Sequence, residues 1–239
     1  MGMDGVRALV FDVFGTVVDW RSGVIREAQP FLARHGADPA AAADFADAWR
    51  KQYSPAMEEC RSGRRPFTRL DVLHREILDR ILPDFGLSQS AIPEAELAEL
   101  NLCWHRLDPW PDTVAGLVRL KAGYVVAPLS NGNIALLLDM AKRAAMPWDA
   151  ILGAEVVQAY KPQPEAYLRT AEVLGLAPAQ VCLVAAHNSD LAAARRCGLK
   201  TAYVLRPLEN GPPPGAAPAD QDWEVVADDF GHLAAQLGL

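Results

Sequence analysis

An α/β fold, built on a parallel sheet and interrupted by a helical insert, is what this sequence predicts, and three observations predict it. Residues 7–11 form a short apolar run of the kind buried on both faces of a sheet, and it ends at a carboxylate, Asp12. From about Ser22 to Leu107 the apolar spacing is helical, without convincing strands. From Pro109 onward, apolar runs alternate with amphipathic segments, as in a parallel sheet with crossover helices. With 239 residues, the chain has room for one such domain and a sizeable insertion.

The elements follow in order. Within the insert, Leu70, Leu73, Ile77 and Ile81 make one helical stripe and Leu97, Leu100, Trp104 and Leu107 another. Asp38-Pro39 reads as an N-cap and first-turn pair, while Pro30 and Pro55 interrupt helical patterns and blur the boundaries near them. After the insert, a helix over 112–122 leads into a second buried strand over 124–129, which ends at Ser130. A helix over 133–146 follows, with Ile134, Leu137, Leu138 and Ala141 on one face. Strands near 151–157, 181–186 and 200–205 then alternate with helices at 164–175 and 189–198. The Pro- and Gly-rich stretch 207–218 reads as a surface loop, and 229–238 as a closing helix. The expected architecture is a Rossmann-like core, residues 1–19 and 109–239, with a helical domain inserted at 20–108.

Composition excludes several partners. Hydrophobic residues make up 51%, enough for a real core, and 23 Lys+Arg against 30 Asp+Glu leave a formal charge of -7. No net positive field is available to hold a phosphate backbone, so nucleic acid is not an expected partner. No run approaches the roughly 18 apolar residues of a membrane span, and the first residues carry neither an export leader nor a myristoylation motif, so a cytoplasmic location is expected. Cys60, Cys103, Cys182 and Cys197 are scattered without a CxxC pair and read as reduced, mostly buried thiols.

In an open α/β sheet, ligands bind beyond the carboxyl ends of the strands. That rule selects Asp12 to Asp19, Ser130-Asn131-Gly132, the Tyr160-Lys161-Pro162 turn and Ala185 to Asp190. Each alone has a plain explanation as a turn former, a helix cap or a solvated charge. Their joint position at the strand ends of one sheet favours a shared site.

These four segments in order, Phe11-Asp12-Val13-Phe14-Gly15-Thr16-Val17-Val18-Asp19, Leu129-Ser130-Asn131-Gly132, Tyr160-Lys161-Pro162 with Tyr167, and Asp190, resemble the motifs of the haloacid dehalogenase superfamily. The insert lies where that superfamily places a cap domain. Its phosphatases carry a second Asp two residues after the nucleophile and an acidic Mg ligand in the fourth motif; this chain has Phe14 and Ala185-Ala186 at those places. An aromatic residue at the Phe14 position is similar instead to the type II L-2-haloacid dehalogenases. Trp49-Arg50-Lys51-Gln52-Tyr53 resembles the cap segment that supplies their halide-side arginine, which puts that role on Arg50.

The resemblance implies a hydrolase that converts short L-2-haloalkanoic acids to 2-hydroxy acids through a covalent aspartyl ester, with no cofactor and no metal. Asp12 would be the nucleophile, kept ionised by Lys161; Ser130, Asn131 and the amides of the first loop would hold the substrate carboxylate. Thr16 and Asp190 would orient Asp12 and Lys161, and Val13, Phe14, Gln52, Phe67 and Tyr167 would line the substrate pocket. The only expected partners are a small 2-haloacid and the released halide, and a homodimer is left open. One departure stands out. Better-known dehalogenases read Ser-Ser-Asn before their fourth-motif Asp, where this chain reads Ala185-Ala186-His187-Asn188-Ser189-Asp190. His187, as a proton acceptor, or Asn188, as a water-orienting amide, could take over placement of the hydrolytic water. A superfamily phosphatase and a non-catalytic anion-binding relative are the alternatives.

Overall fold

The computed structural model describes residues 2–213, 215 and 218–239. In chain order, β1 (Ala8–Phe11) and β2 (Val18–Asp19) precede five helices: α1 (Trp20–Arg34), α2 (Ala42–Lys51), α3 (Tyr53–Arg61), α4 (Leu70–Ile81) and α5 (Glu94–Asn101). Then come β3 (Asp108–Pro109), α6 (Thr113–Lys121), β4 (Val125–Pro128), α7 (Ile134–Ala144), α8 (Ala154–Val157) and α9 (Pro164–Val173). The chain closes through β5 (Val181–Ala185), α10 (Asn188–Arg196), β6 (Lys200–Val204), β7 (Val225–Ala227) and α11 (Phe230–Gln236). It divides into two compact units. One runs to Asp19 and resumes at Asp108; the other is Trp20–Leu107, so the second junction falls one residue before the 108/109 boundary read from the sequence.

In the first unit the sheet order is β4-β1-β5-β6-β7, all parallel. From β1 the chain goes to β4 on one side and later to β5 on the other, so the strand order reverses at β1. The crevice of such a sheet opens there. All four residues of β1 and all five of β5 are buried, which is why both read as continuous apolar runs. A two-residue antiparallel pair, β2 with β3, brings the ends of the insert together within this unit.

Two expectations are corrected, and three short strands are added. Residues 151–157 form no strand; they end in the single turn α8. The outer backbone groups of Val126 on edge strand β4 are already taken by Asp149, whose N–H donates to the Val126 carbonyl (2.8 Å) and whose Oδ2 accepts from the Val126 N–H (2.9 Å). That blunts the edge. The buried face of α7 is Leu136, Leu137, Met140 and Ala141, while Ile134 and Leu138 are 40% and 43% exposed. The run Ile-Ala-Leu-Leu-Leu is apolar nearly all round, so spacing alone does not choose a stripe. Finally, β7 and the β2–β3 pair are too short to leave a periodic signal.

In the second unit both predicted stripes are buried, each Leu or Ile contributing about 1.5–3 kcal/mol by leaving water. Asp38 accepts from the Ala40 N–H at 2.9 Å, but the turn it caps is a short 3-10 segment, Pro39–Ala41, that runs into α2. Pro55 falls on the third residue of α3, where an N–H has no helical acceptor anyway, whereas α1 runs through Pro30. All four cysteines are free; Cys103 and Cys182 are buried, and Cys60 and Cys197 half-buried. No helix among the described residues is long and apolar enough to cross a membrane. Residues 214, 216 and 217 of the predicted 207–218 loop lie outside the described residues.

Candidate active site

Asp12 extends β1 by one more bond, its N–H donating to the Val184 carbonyl at 3.0 Å, so the sheet itself sets where the carboxylate stands. The side chain is buried and takes three donors. Lys161 Nζ donates to Oδ1 at 2.7 Å; the Thr16 hydroxyl (2.7 Å) and His187 Nδ1 (3.0 Å) both reach Oδ2. Thr16 Oγ1 itself accepts from the Ala186 N–H at 2.9 Å, which points its proton at Asp12. A carboxylate has about two acceptor positions per oxygen, so Oδ2 is full and Oδ1 keeps one open.

Lys161 sits between two carboxylates, Asp12 and Asp190, and Asp190 in turn accepts from the Tyr167 hydroxyl at 2.6 Å. The Asn131 side-chain oxygen accepts the Lys161 backbone N–H at 2.8 Å and fixes the turn that carries the lysine. Burial alone would push the Asp12 carboxyl up; Lys161 and then His187 overcome it and hold the group far below the usual carboxylate range. Burial would likewise lower Lys161, but Asp12 and Asp190 raise it, so the buried pair is ionised. The first loop is clamped from outside: Arg206 Nε donates to the Thr16 carbonyl (2.8 Å) while its two terminal nitrogens grip Asp112 (2.8 and 2.9 Å), and Trp110 Nε1 donates to the Gly15 carbonyl (2.9 Å).

This cluster centres on a buried carboxylate held ionised at a sheet switch point. A family model described as a hydrolase, haloacid dehalogenase-like hydrolase, matches residues 6–198. The chain belongs to this family. The (S)-2-haloacid dehalogenase 4A of Burkholderia cepacia is 31% identical over 215 residues, spanning 89% of this chain and 87% of its own. Among solved structures, the defluorinating L-2-haloacid dehalogenase Rha0230 superposes with a TM-score of 0.94 at 51% identity, covering 98% of this chain and 96% of that one. The L-2-haloacid dehalogenase of Xanthobacter autotrophicus with chloropropionic acid covalently bound superposes at 0.78 and 25% identity, covering 98% of each chain.

In this haloacid dehalogenase-like hydrolase, four residues selected from the sequence meet the side chain of Asp12 or of its lysine: Thr16, Lys161, His187 and Asp190. Others stand elsewhere. Asn188 commits its amide to the Pro218 carbonyl (2.8 Å) and to Trp223 Nε1 (2.9 Å), tying α10 to the 218–223 segment, so it does not orient water at Asp12. Tyr167 is fully buried with its hydroxyl on Asp190, a support for the charge cluster rather than a pocket wall. Asn131 likewise supports Lys161, and Ser130 Oγ accepts from the Gly132 N–H at 3.1 Å. Val13 and Phe14 are each 2% exposed.

Arg50, Gln52 and Phe67 belong to the helical unit. Trp49 is fully buried, edge-on to Trp104, and its Nε1 donates to the His74 carbonyl at 2.9 Å, which pins the end of α2. Arg50 projects from that end with its guanidinium 4.2 Å from the Tyr53 ring centroid and 5.2 Å from that of Trp20. Burial pushes His74 down to about 3, so the imidazole stacked on Trp104 is neutral and adds no charge beside Arg50. Gln52 joins α2 to α3, and Phe67 is half-buried ahead of α4.

Glu209 was not selected from the sequence. Its carboxylate receives His187 Nε2 at 2.9 and 3.0 Å. It lies in the stretch read as a surface loop, and only the three-dimensional return of that loop to the strand ends brings it in; Arg206 and Asp112 were missed because their partners are 190 and 94 positions away.

Proposed function

We propose that the chain hydrolyses short L-2-haloalkanoic acids to 2-hydroxy acids with inversion at carbon, through an ester on Asp12. The observation that carries this reading is the buried, ionised Asp12 whose Oδ1 has one donor and one open position. Displacement at carbon needs such an anion: Oδ1 attacks the carbon bearing the halogen, the carbon–halogen bond breaks, and halide leaves with its electron pair. Water then attacks the Asp12 carboxyl carbon and frees the 2-hydroxy acid. The covalently bound chloropropionic acid of the Xanthobacter autotrophicus relative supports a covalent route, and the relative described as defluorinating, at 51% identity, extends the proposal to carbon–fluorine bonds.

Magnesium, which phosphatases of the superfamily use, does not fit. A divalent ion needs several oxygen ligands. Phe14 and Ala186 offer none, Asp12 already faces an ammonium, and among the described residues no cluster of acidic, imidazole or thiol groups could hold a metal. Release of chloride from L-2-chloropropionate is therefore expected to continue at full rate in excess EDTA. Loss of that activity on chelation with return on adding magnesium, or phosphate release in place of halide, would sink the proposal.

We propose the halide role for Arg50, as the resemblance of its segment implies. Arg50→Ala is expected to slow halide release by ~10²–10³-fold, because stabilising a developing anion in a dry site is worth about 3–4 kcal/mol. Arg50→Lys recovers part, lacking the planar fork of donors. Halide release at wild-type rate in Arg50→Ala would move the role elsewhere.

A further inference from the structure

Within the proposed ester cycle, on which this step rests, we infer that His187 and Thr16 together stabilise the oxyanion of the hydrolytic half-reaction, and that Glu209 holds His187 doubly protonated for that task. Oδ1 is the oxygen with an open position, so it is the one alkylated, and Oδ2 becomes the carbonyl oxygen of the ester. The donors already on Oδ2, Thr16 at 2.7 Å and His187 Nδ1 at 3.0 Å, stand within the 2.7–3.1 Å that oxyanion donors require.

The alternative, His187 as the base that takes a proton from water, conflicts with its surroundings. Nδ1 faces Asp12 and Nε2 faces both oxygens of Glu209; two ionised carboxylates only accept, so both nitrogens carry protons. Burial would lower His187, yet the hydrogen bonds and charges of Asp12 and Glu209 push it up to about 10. Alkylation removes the charge of Asp12 and leaves that of Glu209. Other charged groups near the imidazole are Lys161, on the far side of Asp12, Asp190 on α10, and Arg206 and Asp220, which line a cleft of about 400 Å³ shared with His187 and Glu209. Arg206 is matched by Asp112, so it does not cancel Glu209.

Glu209 is also placed by the first motif. Gly15 has a φ of +89°, and a Cβ there would stand 2.0 Å from Glu209 Oε1. A glycine thus gives the loop its left-handed turn and the carboxylate its room.

The step balances as follows. The water oxygen bonds to the Asp12 carboxyl carbon, the carbonyl π pair moves to Oδ2 against Thr16 and His187, and one water proton leaves to solvent as the net acid of turnover. Collapse breaks the bond from that carbon to Oδ1, which departs as the product hydroxyl with a proton from Lys161. The carboxylic acid left behind returns a proton to Lys161, restoring the resting state.

The test is a single-turnover reaction with L-2-chloropropionate across pH, in wild type and Glu209→Gln, following halide and the mass of the protein ester. A halide burst is expected in both, which shows that the variant is folded at Asp12. Ester decay is expected to fail on the alkaline side at a pH at least about one unit lower in Glu209→Gln, with ~10-fold or more slowing above neutrality and partial recovery in Glu209→Asp. An alkaline limb at the same pH in both proteins, or wild-type ester decay that rises with pH as the imidazole deprotonates, would overturn the inference while leaving the ester reading intact. A wild type that releases halide without any ester overturns both.

Discussion

Lys161→Met is expected to lower halide release by at least about 10³-fold and to destabilise the fold by about 3–5 kcal/mol at neutral pH. The substitution keeps much of the volume but removes the ammonium that lies between the buried carboxylate of Asp12 and the half-buried one of Asp190. Truncating one partner of such a cluster costs more than the pair is worth, because the remaining charges stay buried and unmatched. Only His187 and the Thr16 hydroxyl then oppose burial, so Asp12 rises, and residual activity in the variant should climb with pH as the carboxyl ionises. In the wild type the sign differs: a carboxyl lowered on folding stabilises fully above its ordinary value of 3.8 and loses that contribution only as pH falls through the depressed folded value. The wild-type first step should therefore be flat with pH over the range where the variant is not. Urea unfolding combined with halide release at several pH values checks both parts. Adding Asp190→Asn to Lys161→Met should return part of the stability and none of the activity, since it removes one unmatched charge but no obstacle to the chemistry. A Lys161→Met protein within about tenfold of wild type would mean that Lys161 does not set the ionisation of Asp12.

What could be read from the sequence, and what could not, divides along contact distance. The apolar runs of β1 and β5 identify strands buried on both faces, and the strand-end rule then places Asp12, Thr16, Ser130, Lys161, His187 and Asp190 in one region, because each lies within a few residues of a strand or turn whose position the pattern fixes. Roles were less legible than places. Asn188 and His187 are neighbours in sequence, yet one ties α10 to the 218–223 segment and the other meets Asp12. Which of the two turns inward depends on the backbone entering α10, not on residue type. Glu209, Arg206 and Asp112 had no signal, since their partners lie 22 to 190 positions away, and for Glu209 a Pro- and Gly-rich loop advertises only that it turns. The apolar α7 misled for the converse reason: with nearly every position apolar, several stripes satisfy the same spacing.

With enzyme in excess over L-2-chloropropionate in heavy-oxygen water, the first turnover is expected to yield mainly unlabelled lactate, with the heavy atom in the peptide that contains Asp12. The covalent route requires this. Asp12 Oδ1 bonds to the substrate carbon and leaves with the product, and the oxygen that refills the carboxyl comes from solvent. Inversion follows from the same bookkeeping of bonds, since only one displacement occurs at the chiral carbon and ester hydrolysis does not touch it. Direct attack by water, with Asp12 as general base, gives the same halide and also inverts, so neither halide release nor stereochemistry separates the routes; the position of the label does. The geometry favours the covalent route on two counts. Lys161 and His187 hold Asp12 far below the usual carboxylate range, which makes it a poor base for water but leaves it anionic for attack at carbon. The open position on Oδ1 is also next to Lys161, the group able to protonate that oxygen when it departs. Asp12→Asn is expected to stop turnover, by ~10⁴-fold or more, because a neutral amide fills the same space without the nucleophilic charge. Label found in the lactate of the first turnover, with none in the Asp12 peptide, would assign Asp12 to base catalysis and remove the ester from the cycle.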